Sequence, residues 1–210
     1  MIALGPSANL PPHIALELPV SRLSLIFVLT LGLGLAACDR GEPEAVQESP
    51  ASDNATAPAG EINRSQAGTL MPAVNLRDPA GRELNLGALQ GTPVLLNLWA
   101  TWCAPCVKEM PLLDGVAADY DEQLHVITAS QDMGSPEKVS AFFAERNLEY
   151  LEPWIDPQME LSEVLGGGVL PTTVLYDSLG REVWRVTGDF DWSSEEARTA
   201  IDEAMDPMPS

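Results

Sequence analysis

Large apolar side chains are unevenly spread along the chain. Residues 23–37 are almost all apolar, residues 39–68 carry hardly a large side chain, and patterns typical of packed elements begin at about residue 69. Residues 73–76 and 82–86 flank Asp78-Pro79-Ala80-Gly81, a turn by composition, so a small β-hairpin is expected there. Residues 93–100 form a nearly unbroken apolar run, the mark of a strand covered on both faces. A helix is expected over 104–120 with Pro111 inside it, then a second buried strand over 124–130. Ser135-Pro136-Glu137 suits a helix start, with Ser as cap and Pro at the first helical position, and that helix should run to about Asn147. A short helix over 157–165 should stop at Gly166-Gly167-Gly168. A strand over 172–176, a turn at 177–180 and an antiparallel return over 181–187 follow Pro171. Ser193 and Glu196 have the spacing of a capping box and should open a last helix to about Met205. The order is βαβα then ββα behind an N-terminal hairpin, with no internal repeat.

The chain has 210 residues, of which about 140 follow the polar stretch, an ordinary single-domain size. A net charge of −20 argues against nucleic acid, whose phosphates demand a basic face.

The N-terminus reads as an address. Arg22 precedes the apolar run, which ends in Leu35-Ala36-Ala37-Cys38. A basic start, a short apolar stretch and small residues before a cut site describe a secretory signal, and fifteen residues are short for a spanning helix. Residues 1–19, with Glu17 and several prolines, match no such basic start, and Val20 is a candidate for a later translation start. Residues 40–68 are rich in Glu, Ala, Pro, Ser and Gly, with Ile62 and Val46 their only large aliphatics. Such a composition buries too little surface to fold, so residues 38–68 are expected to form a disordered acidic tether ahead of a packed domain over 69–210.

Two of the three cysteines form Cys103-Ala104-Pro105-Cys106. A lone C-x-x-C is half a zinc site, a structural disulfide or a redox pair. Zinc needs two further ligands, and of the two histidines His13 lies in the leader and His125 in a strand, so no metal is expected. Context favours redox chemistry. The pair sits where a buried strand passes into a helix, so the first thiol meets free N–H groups and the positive end of the helix dipole, which lower its pKa.

The stretch from Trp99 to Pro111, Trp-Ala-Thr-Trp-Cys-Ala-Pro-Cys-Val-Lys-Glu-Met-Pro, resembles the TlpA and ResA branch of the thioredoxin superfamily, and is closer to TlpA. Val169-Leu170-Pro171-Thr172-Thr173 resembles the cis-proline loop of that branch, so the resemblance spans the chain from about residue 70 onward. It implies a thioredoxin fold, a central mixed sheet flanked by helices, and a thiol–disulfide oxidoreductase with no cofactor beyond the Cys103–Cys106 pair. Cys103 is then the exposed nucleophile and Cys106 the resolving thiol. Trp102 shields the pair, or else is a plain packing aromatic; Trp99 belongs to the core. Ala104 and Pro105 fill the motif, Pro171 is the cis residue, and Leu170 offers backbone hydrogen bonds to an extended partner peptide. Glu109 lies three residues beyond Cys106 on the same helical face and matches a glutamate that influences thiol acidity, against the plain reading of a solvated helix residue. Asn97 stands where thioredoxin carries a buried Asp, which leaves Glu109 as the nearby candidate base. Cys38 resembles a lipobox cysteine. A lipid there would hold the chain at the periplasmic face of the inner membrane, with Asp39 resembling a retention signal; an uncleaved signal anchor is the alternative.

Three other classes fit less well. A peroxiredoxin needs Thr where Ala100 stands, a Sco-type copper carrier separates its cysteines by three residues and adds a distal histidine, and a redox-inert module needs neither cysteine nor Pro171. No histidine lies between the cysteines, unlike the DsbA-type oxidants, so a reductant is expected. The branch implies partners with cysteine pairs and a membrane thiol donor of electrons. The partners are copper-site or copper-chaperone proteins of cytochrome oxidase assembly, or alternatively apocytochrome c. Thr172, in place of the glutamate of dedicated cytochrome c reductases, favours the copper role. Metabolic palmitate labelling should mark the wild type and not Cys38→Ser; an unlabelled wild type would instead indicate the signal anchor.

Overall fold

The computed structural model describes residues 60–165 and 167–205. The apolar run 23–37, Cys38 and the acidic segment as far as residue 59 lie outside the described residues. Among the described residues no helix is long and apolar enough to cross a membrane.

Strand β4 (Val94–Trp99) organises the domain, because all six of its side chains are buried. Leu95 and Trp99 enter one core, with Met110, Leu113, Val139, Phe142, Phe143 and Ile201. Val94, Leu96 and Leu98 enter the other, with Leu76, Leu86, Leu161 and Tyr176. Each such aliphatic contributes roughly 1.5–3 kcal/mol relative to exposure, so the strand is bound to the middle of a sheet covered on both faces. Beside it lie β5 (His125–Ser130), parallel, and β7 (Thr172–Tyr176), antiparallel. Further out are β8 (Glu182–Thr187) beyond β7 and β6 (Trp154–Ile155) beyond β5. The hairpin of β2 (Asn75–Arg77) and β3 (Glu83–Asn85) joins the sheet at β6, while β1 (Ile62–Asn63) pairs with β8. The full order is β1-β8-β7-β4-β5-β6-β2-β3. With α1 (Ala104–Tyr120), α2 (Pro136–Arg146), α3 (Glu160–Val164) and α4 (Glu195–Asp202), this mixed sheet is a thioredoxin-like fold with the expected N-terminal hairpin.

Several local expectations change. The stretch read as tether up to residue 68 already belongs to the sheet from Gly60, whose N–H donates to Thr187 O at 2.8 Å. Ile62 faces Val186 across β1–β8 and packs against the first core, and Arg64 holds Glu203 at 2.6 Å. One aliphatic at a vacant sheet edge outweighs a polar local composition. Strand β6 is unforeseen because only two residues pair. Helix α3 begins at Glu160, later than expected, where the Asp156 carboxylate accepts from the N–H groups of Glu160 and Leu161. The cap of α4 is Ser194, whose Oγ accepts from Ala197 N at 3.1 Å, whereas Ser193 Oγ donates to Asp191. Ser135 occupies the cap position of α2 without a side-chain cap bond.

Beginning the chain at residue 69 instead of residue 60 should therefore cost about 1–2 kcal/mol, from lost ladder bonds and the burial of Ile62. Urea unfolding of the two lengths checks this, and equal midpoints would mean that β1 adds nothing.

Candidate functional site

The pair lies where β4 ends and α1 begins. Cys103 is the N-cap of α1, with extended backbone, and its sulfur faces the N–H of Cys106 at 3.4 Å. Half-buried Pro105 stands in the first turn, where its missing N–H has no helical partner to lose. The cysteines are joined in a disulfide with Cα atoms 5.3 Å apart. Cys106 is fully covered and Cys103 keeps 6 % of its surface, so the expected exposed nucleophile is reachable only at one edge of the oxidised site. Trp102 is 69 % exposed, which rules out a plain packing role. Ala104 is exposed beside it. The Leu170–Pro171 bond is cis; Pro171 is buried, and Leu170 packs against both cores. Trp99 lies fully in the core against Phe142.

The turn ahead of the cysteines is tied to the end of β5. Asp132, nearly buried, accepts from Thr101 N at 2.8 Å, from Thr101 Oγ1 at 2.6 Å and from Ser130 Oγ at 2.8 Å. One carboxylate thus ties Thr101, two residues ahead of Cys103, to the end of β5.

Glu109 is not a solvated helix residue. It is 1 % exposed on the inner face of α1, the face of Cys106. Asn97 Nδ2 donates to its Oε1 at 2.8 Å, and Trp192 Nε1 donates to its Oε2 at 3.1 Å. Burial raises its pKa from the ordinary 4.5 to about 7, partly offset by the Trp192 and Asn97 hydrogen bonds and reinforced by Asp189. Asn97 also donates to Thr173 Oγ1 at 2.9 Å, while its own Oδ1 has no partner among the described residues. A cleft of about 250 Å³ lined by Lys108, Glu109, Leu112, Asp189, Phe190 and Asp191 leads from Glu109 to solvent. Among the described residues no three His, Cys, Asp or Glu side chains gather within ligating range of a metal.

The Redoxin family profile matches residues 66–201. The chain belongs to the redoxin family. This redoxin is 37 % identical over 121 residues to the thiol-disulfide oxidoreductase ResA of Geobacillus thermodenitrificans, covering 58 % of this chain and 69 % of that protein. It is 30 % identical over 170 residues to the ResA of Halalkalibacterium halodurans, covering 80 % of this chain and 85 % of that one. The exposed lipoprotein thioredoxin Etrx1 of Streptococcus pneumoniae shares the fold, with a TM-score of 0.53 at 23 % identity over 61 % of this chain and 97 % of that one. Family and dithiol together make this redoxin a thiol–disulfide oxidoreductase, consistent with the ResA and TlpA branch.

Sequence reasoning brought together Cys103, Cys106, Glu109 and the cis-proline loop, and it missed Trp192 and Asp132. Asp132 follows the carboxyl end of a central strand, where sites of open α/β sheets collect, so its position was a usable signal. Trp192 had none beyond being an aromatic in the acidic stretch Asp189-Phe190-Asp191.

Glu109 should also show in the stability of this redoxin. Below pH 4.5 both folded and unfolded chains hold its proton, between 4.5 and about 7 only the folded chain does, and above that neither does. The stability it lends therefore falls as pH rises through that window, by at most about 3 kcal/mol. Urea midpoints of the wild type should decline relative to Glu109→Gln from pH 4.5 to 7; parallel curves would contradict the buried titration.

Proposed function

We propose that this redoxin is an extracytoplasmic reductant of disulfides in partner proteins, with Cys103 as nucleophile and Cys106 as resolving thiol. The observation that carries this reading is the sulfur of Cys103 at the N-cap of α1, beside an exposed Trp102 and with no histidine nearby among the described residues. The described histidine, His125, stands opposite Val94, at the far end of β4 from the cysteines. The helix dipole favours the Cys103 thiolate modestly, and nothing favours it as strongly as in an oxidant.

In the reduced protein the Cys103 thiolate attacks one sulfur of a partner disulfide, and the other partner sulfur leaves as thiolate. Cys106 then passes its proton to the Glu109 carboxylate and attacks Cys103, breaking the mixed disulfide. The partner departs fully reduced and the Cys103–Cys106 disulfide remains. A thiol donor at the membrane must supply the two electrons for the next cycle. Trp102 and the backbone at Leu170 seat the partner peptide beside Pro171.

We take the partners to be copper-site or copper-chaperone proteins of cytochrome oxidase assembly. Thr172 supports this choice, because its hydroxyl is turned inward to Val169 O at 2.8 Å and offers no acid to the loop. A lipid on Cys38 would keep the domain at the periplasmic face of the inner membrane.

Cys106→Ala should accumulate mixed disulfides through Cys103, identifiable by mass spectrometry, and Cys103→Ala should accumulate none. Trapped apocytochrome c in place of copper proteins would move the assignment to that pathway. The reduction potential from glutathione equilibration should lie nearer ~−270 mV than ~−120 mV; a value at the upper end would make the protein an oxidant and end the reductive reading.

A further inference from the structure

Trp192 lies between β8 and α4 and is buried. Its ring stacks on Trp184, with centroids 6.4 Å apart, and meets Phe190 edge-on at 5.0 Å. Trp184 is itself fixed, since its Nε1 donates to Ala200 O at 2.9 Å. An indole held on both sides has a single polar direction, and here its N–H points at Glu109 Oε2. Asn97 grips the other oxygen of the same carboxylate, so the two donors fix its plane.

We propose that Trp192 is a positioning residue for thiol–disulfide exchange: it holds the Glu109 carboxylate in place on the Cys106 face of α1, stabilises its charged form, and so sets the pH range in which the dithiol turns over. This rests on the reading of Glu109 as the acceptor of the Cys106 proton.

The remaining surroundings work against the charge. Burial disfavours it, and Asp189 adds like charge from the segment ahead of α4; Asp191 lines the same cleft with its carboxylate engaged by Ser193. Lys108, on α1 itself, is exposed and drawn to Asp189 at 3.8 Å. From β4, Asn97 holds the group and in turn donates to Thr173 of β7, and neither ionises. Cys106, on the same helix face, becomes a titratable neighbour once the disulfide is reduced. Taking away the indole N–H therefore removes one of the two hydrogen bonds that hold the proton affinity of Glu109 down.

The full-length protein tests this in two variants. Trp192→Phe keeps an aromatic ring without an N–H, and benzothienylalanine at position 192 keeps both rings with sulfur in place of the N–H. The titration of Glu109 is read from its carboxylic-acid infrared band, assigned by the disappearance of that band in Glu109→Gln. In both variants it should move up by about one pH unit, the effect of one hydrogen bond to a charged group. The pH profile for reduction of oxidised glutathione should move with it. An unmoved band in the benzothienylalanine protein overturns the role of Trp192. A pH profile unchanged by Glu109→Gln overturns the proton-acceptor reading of Glu109 instead, which keeps the two failures apart.

Discussion

The burial of β4 on both faces is the constraint from which the site follows. A strand with no exposed side chain can lie only at the centre of a covered sheet, and the chain leaves it at Trp99 with nowhere to go but out over the carboxyl edge. Helix α1 then starts above that edge with its first N–H groups lacking helical partners, and the Cys103 sulfur meets one of them. Cys103 falls on the cap and Cys106 one turn further, so the core geometry alone delivers one sulfur to the rim and the other beneath it. Asp132 completes the placement by holding Thr101 to the end of β5.

The same burial explains a costly feature of the domain. Asn97 occupies an inward position of β4 between Leu95 and Trp99, and α1 sets Glu109 against it. A carboxylate in such surroundings is costly to ionise, and Asn97 Oδ1 has no partner among the described residues, a defect worth roughly 1–3 kcal/mol. An apolar pair would pack better. Two polar groups on the Cys106 face of α1, joined by an indole donor from much later in the chain, fit a site that exchanges protons as well as electrons.

Much of this was legible in the chain itself. The run 93–100, the C-x-x-C after it and the loop at Pro171 are local patterns with local causes, and strand, helix start and cis bond all stand where they were expected. What escaped notice depends on distant partners. Ile62 sits in a stretch too polar to suggest a strand and becomes one because Val186 offers an open edge. Trp192 reaches Glu109 across 83 positions of sequence. Both serine hydroxyls donate to Asp191, and it is Ser194 that also accepts from Ala197 N, a one-residue difference that spacing rules do not resolve.

The position of β1 also gives the domain a direction. Leu98 pairs with Thr172, Thr172 with Thr187, and Gly60 closes onto Thr187, so the chain enters the sheet at the level where β4 gives way to the disulfide. Three strand spacings separate the entry point from β4, roughly 14 Å. The point where the described chain enters the sheet therefore lies at the reactive pole of the domain, not the opposite one.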